Sequence, residues 1–189
     1  MRFFILCVVL ALAVTPRVAL AATPDVWLLE ETGADGNKAW CAFHDREGFL
    51  AESRKVGSSI FGGLLYTKGV LSEIDESAEM SAGYVLYQSY FLSPDGALAK
   101  FERRSEMAKF HVIVVEDYEM RQGNWVVVET RFLDQVSGKP LDRPRDVRWP
   151  FGPVIHTVLR KFPFYPLIAN PAIRIVDKVC AGVTEPGAQ

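Results

Sequence analysis

Between residues 143 and 165 the chain gathers Arg143, Arg145, Arg148, Arg160 and Lys161 among Trp149, Phe151, Phe162, Phe164 and Tyr165. Guanidinium forks suit carboxylates and phosphates, and aromatic rings settle beside ligands and at lipid interfaces. Arg143, Arg145, Arg148, Trp149, Arg160, Phe162, Phe164 and Tyr165 are therefore the residues expected to touch a ligand or partner. The competing expectation for "RKFPFYPLIANP" (160–171) is plain packing, with the aromatics finishing the core and the arginines paired to acidic strands. A core plug ranks first and a cavity rim second. Membrane contact ranks third, because neither flanking helical stretch is strongly basic and amphipathic along its length.

Other reactive types are sparse. His44, His111 and His156 share no metal-ligand spacing, and none sits in a ligand pattern with cysteine. "GSSIFG" (57–62) holds Ser58 and Ser59 but not the Gly-x-Ser-x-Gly elbow of a hydrolase nucleophile. "SGK" (137–139) lacks the rest of a phosphate loop and reads as a hairpin turn. "GVLSEIDE" (69–76) reads as a strand with Val70 and Ile74 on one face and Leu71, Glu73 and Asp75 on the other. Glu73, Asp75, Glu76 and Glu79 could supply an acid–base pair or oxygen ligands, but their spacing matches no calcium loop, and a solvated loop around a hairpin explains them better. No catalytic residue, metal ligand or cofactor is assigned. The balance of charge, 21 Lys and Arg against 23 Asp and Glu, argues against a nucleic-acid partner.

Compartment follows from the N-terminus. Arg2, the apolar run from Phe3 to Val14 and the small-x-small "ALA" at 19–21 read as a signal peptide over 1–21. Removing it takes away Arg2, Arg17 and Cys7, and leaves 168 residues of formal charge −4 as a single exported globular domain, 22–189, with 183–189 as a disordered tail. No later stretch is long and apolar enough for a transmembrane helix. The expected location is periplasmic or secreted. Two thiols then remain, Cys41 and Cys180, and a disulfide between them is the one intramolecular pairing; free or intermolecular thiols are the alternative.

The elements that must position these groups read as follows. "VWLLE" (26–30) predicts a first strand, and Asp45 caps a short helix that Gly57 ends. From Ile60 to Asp134, runs such as "GYVLYQSYFL" and "WVVVETRFLD" alternate with "SPDG" and "RQGN" turns, which predicts an antiparallel meander. Four prolines in "GKPLDRPRDVRWPFGP" (138–153) predict an extended strap. "VIHTVLRK" has helical spacing, and Asn170-Pro171 starts a C-terminal helix over 171–181. The fold class is α+β: a meander of about five to seven strands against a short N-terminal helix and C-terminal helical segments, with a helix-grip-like closure as one arrangement.

Together these features point to an exported, non-enzymatic domain that binds a small apolar or anionic, lipid-like ligand or a protein of the cell envelope. The alternatives are a serine-type hydrolase using Ser58 or Ser59 with a histidine, and a structural or assembly protein of the envelope that recruits a strand at its sheet edge.

Overall fold

The computed structural model of the protein describes residues 23–33, 36–81, 83–144 and 156–182. The expected signal peptide (1–21), the strap residues Arg145, Arg148 and Trp149, and the tail (183–189) lie outside them. Nine strands form one antiparallel sheet: β1 Val26–Thr32, β2 Lys38–Phe43, β3 Ile60–Thr67, β4 Val70–Ser81, β5 Tyr84–Leu92, β6 Leu98–Met107, β7 Val112–Arg121, β8 Asn124–Asp134 and β9 Lys178–Gly182. The order across the sheet is β8-β7-β6-β5-β4-β3-β1-β2-β9. From β3 to β8 each strand pairs with its sequence neighbour, as short links dictate. Lys68-Gly69 and Gln122-Gly123 make two of these links, each with both residues at positive φ, the geometry that matches the twist of a tight hairpin.

The architecture is mostly β, with two α-helices among the described residues. Helix α1, Arg46–Val56, joins β2 to β3. Asp45 caps it, its carboxylate accepting the Gly48 N–H at 2.6 Å, and Gly57 closes it in the left-handed conformation. Helix α2 is a single turn, Tyr165–Ile168.

The C-terminal segment differs from expectation. Asn170 does cap a turn, accepting the Ala172 N–H at 3.0 Å, but that 3-10 turn ends at Arg174. Lys178–Gly182 is a strand paired with β2, and it places Cys180 directly opposite Cys41, where the two form a disulfide. The edge of β2 offers unpaired backbone groups, and pairing with them outweighs a helical stripe that local spacing alone suggests. Likewise "VIHTVLRK" contributes only the 3-10 turn Leu159–Lys161, after an extended Val158.

The two faces of the sheet are covered differently. On one, Val26, Leu28, Trp40, Leu64, Ile74, Tyr90, Phe101 and Tyr118 pack under Phe162, Phe164, Leu167 and Ile173 of the C-terminal segment. On the other, Phe49 of α1 packs on Leu29, Cys41 and Phe43. Helix α1 rests on β1 and β2. It leaves the same face of β3 to β6 as the wall of a groove.

Candidate ligand groove

Strand alternation builds this groove. In β4, Glu73, Asp75 and Ser77 point to the α1 side; in β5, Tyr87, Ser89 and Phe91; in β6, Glu102, Arg104 and Glu106. Cross-strand register sets them in rows: Gly63, Asp75, Ser89 and Glu102 in one, and Phe61, Ser77, Tyr87 and Arg104 in the next. Each row holds one serine at its middle. Ser77, Ser89 and the backbone at Gly62 therefore form a low floor, where larger side chains would have filled the space.

The walls are aromatic. Trp27 stacks on Phe49 at 5.1 Å, and Phe49 meets Phe61 edge-on at 5.7 Å. Pro24 closes this end. A Cβ on Gly63 would sit 2.6 Å from the Pro24 ring, so only glycine lets the proline lie there. The enclosed space is about 790 Å³.

The rim is acidic. Burial pushes Glu73 up to about 7, and the negative charge of Asp75 adds to the shift. Burial also raises Asp75, against a hydrogen bond that it accepts from the Ser89 hydroxyl at 2.6 Å. Arg104 is the one basic side chain of the lining, and its guanidinium is held by Glu106 at 2.8 Å. Lys100 turns to Asp117 at 3.2 Å instead.

Directly behind the groove, on the opposite face, runs a polar row: Glu76, Gln88, Arg103 and Glu116 stand in direct register across four strands, the last three buried and Glu76 largely covered. Arg103 and Glu116 form a buried ion pair, with Nε donating to the carboxylate at 2.6 Å. Glu76 faces His156, Nε2 to Oε2 3.8 Å. Burial pushes Glu76 up to about 8, and burial, with Lys161 second, pushes His156 down to about 4. At neutral pH a neutral carboxyl therefore faces a neutral imidazole. His156 clasps the C-terminal segment to the sheet. Its carbonyl accepts the Trp125 indole N–H at 2.9 Å, its N–H donates to the Tyr90 hydroxyl at 3.4 Å, and its ring lies 4.3 Å from Phe162.

The residues singled out from sequence are dispersed. Phe162 and Phe164 are sealed in the core, 1% and 0% exposed. Tyr165, Arg143 and Arg160 are exposed, and none of these five lines the groove. The Ser58 hydroxyl is engaged with the Ile60 backbone, accepting its N–H and donating to its carbonyl at 3.2 Å. Glu31, Cys41 and Cys180 come within 4.8 Å of one another, but both sulfurs belong to the disulfide, and the Glu31 carboxylate pairs with Lys178 at 3.0 Å.

The strand reading of "GVLSEIDE" (69–76), with Glu73 and Asp75 on one face, agrees with β4, but the groove was missed because the carboxylates of Glu73, Asp75, Glu76 and Glu79 were assigned to a solvated hairpin loop. The available signal was the alternation of Glu73, Asp75 and Ser77 against Ile74, Glu76 and Ala78, a strand pattern with carboxylates on both faces. No family model, curated protein sequence or solved structure matches the chain, so the geometry itself carries the functional reading.

Proposed function

We propose that the protein is an exported, non-catalytic binding module that takes a small ligand with an apolar body into the groove beside α1. The observation that carries this reading is the groove itself: about 790 Å³, aromatic at one end, low-floored by Ser77, Ser89 and Gly62, with a few placed polar groups. Small-molecule sites are typically concavities of about 300–1,000 Å³ with this kind of lining. Export rests on the leader-like residues 1–21 and on the Cys41–Cys180 bridge, a bond that persists in oxidising compartments. The helix-grip comparison enters only as a division of labour, with a helix across part of a sheet face and the ligand beside it.

Of the two ligand characters expected from sequence, the groove favours the apolar one, since an anionic group would meet Glu73, Asp75, Glu102 and Glu106. A second reading, recruitment of a partner strand from the envelope, is favoured by β8, an 11-residue edge strand with Val126, Val127 and Val128 exposed.

Titration with the neutral apolar dye Nile red tests the groove. Saturable one-to-one binding that Ser77→Phe abolishes, with thermal unfolding unchanged, is the expected result. No saturable binding, or binding indifferent to Ser77→Phe, overturns it. Labelling of Ser58 or Ser59 by a fluorophosphonate would overturn the non-catalytic part.

A further inference from the structure

Resting on that reading of the groove, we infer that its natural ligand carries a positive charge: the site is built for an organic ammonium or guanidinium group on an apolar body. The first ground is an unbalanced rim. Acids enter from two strands, Glu73 and Asp75 from β4 and Glu102 and Glu106 from β6, against Arg104 alone. Arg104 is already answered by Glu106, and its Nε is buried without a hydrogen-bond partner. The nearest other cations lean on Asp117, although Lys100 also lies over the Phe91 ring, 5.7 Å from its centroid. Lys100 sits on Asp117 at 3.2 Å, and Arg131 lies 2.6 Å from Asp117 but 3.9 Å from Glu102. Glu73 and Asp75 hydrogen-bond to each other, Asp75 also accepts from the Ser89 hydroxyl, and among the described residues no cation pairs with either.

The second ground is the aromatic wall. Trp27, Phe49, Phe61, Tyr87 and Phe91 line the same space. Ring faces attract cations, and more strongly where water is displaced. A carboxylate pair at one side and ring faces at the other recognise an alkylammonium from both ends: the charge meets the acids, and the methyl or methylene groups meet the rings. A bare metal ion would use only the acids and leave the aromatic wall without a role.

The site also predicts how binding responds to pH. Glu73 and Asp75 hold protons more tightly than ordinary carboxyls, and an arriving cation favours their ionised forms. Binding therefore releases protons, and affinity rises as pH climbs through the Glu73 titration. Tyr87, raised by burial, stays neutral.

Three six-carbon probes that differ only in their head group test the class: hexyltrimethylammonium, 1-hexanol and hexanesulfonate, measured by calorimetry at pH 6 and pH 8. The expected order is ammonium, alcohol, sulfonate, with the ammonium about ten-fold tighter than the alcohol at pH 8 and its advantage reduced at pH 6. Its binding enthalpy should depend on the buffer, which reports the released proton. Glu73→Gln with Asp75→Asn should erase the ammonium's advantage over hexanol, and a cooperative thermal transition shows that the variant is folded. If hexanol binds and the ammonium binds no better, or calcium binds in its place, the charge assignment is wrong and the groove stands. If none of the three binds, the groove reading fails and takes this inference with it.

Discussion

Single side chains set how this protein responds to pH. Glu76 is raised from 4.5 to about 8 by burial, so between those values the folded chain keeps a proton that the unfolded chain has lost. The stability that this group contributes is full below pH 4.5 and drains away as pH rises to 8. His156 acts in the opposite direction. Its depressed value, about 4 against an ordinary 6.5, makes the fold gain stability as pH rises between those limits. The two slopes offset below pH 6.5, and above it Glu76 acts without His156. Between pH 6.5 and 8 the wild type should lose about 2 kcal/mol more than Glu76→Gln does, read from urea unfolding at several pH values. Equal slopes would mean that Glu76 ionises freely in the fold. Phe162 makes the packing case for the "RKFPFYPLIANP" stretch. Fully buried against Tyr90, His156 and Phe164, it should cost about 3–5 kcal/mol when truncated to alanine. A loss under 1 kcal/mol would argue that the stretch sits loosely on the sheet.

At the scale of elements, the Cys41–Cys180 bridge fastens β9 to β2 and closes a loop of 139 residues. Chain-entropy models give such a loop a stabilisation of about 4–5 kcal/mol. Reduction should lower the denaturant midpoint, and hydrogen exchange should quicken first in β9 and along the outer edge of β2. Uniform quickening across all nine strands would contradict the view that β9 is an addition to an otherwise self-sufficient sheet. Local signals made much of this sheet legible in the sequence. Asp45 and Gly57 bracket α1 because caps act within a few residues, and the turns at Gly96 and Gly123 mark hairpins because positive φ is a local demand. β9 was not legible. Ile173, Val176, Val179 and Cys180 fit a helical stripe, whereas the strand puts Val179 and Cys180 on opposite faces, and the deciding partner, β2, lies about 140 residues earlier in the chain. The first half of β4 was legible, because "GVLSEIDE" (69–76) alternates as a strand with Glu73 and Asp75 on one face. What local pattern could not show is that those carboxylates look into an open groove while Glu76 stays neutral.

The groove belongs to the whole molecule. It needs the register that lines up Ser77 with Phe61 and Tyr87, the helix that stops over β1 and β2, and the proline that closes one end over Gly63. No sequence window contains those three facts, which is why the sequence pointed to the arginine-rich strap and passed over the acidic strands. The most direct test is an amide NMR titration of the full chain with 1-hexanol, which carries the apolar body without a charge. Shifts should concentrate at Trp27, Phe61, Gly62, Ser77, Tyr87 and Ser89, saturate together, and leave Phe162, Phe164 and Leu167 unmoved. Shifts gathered under the C-terminal segment instead, or no saturable shifts at all, would contradict the account.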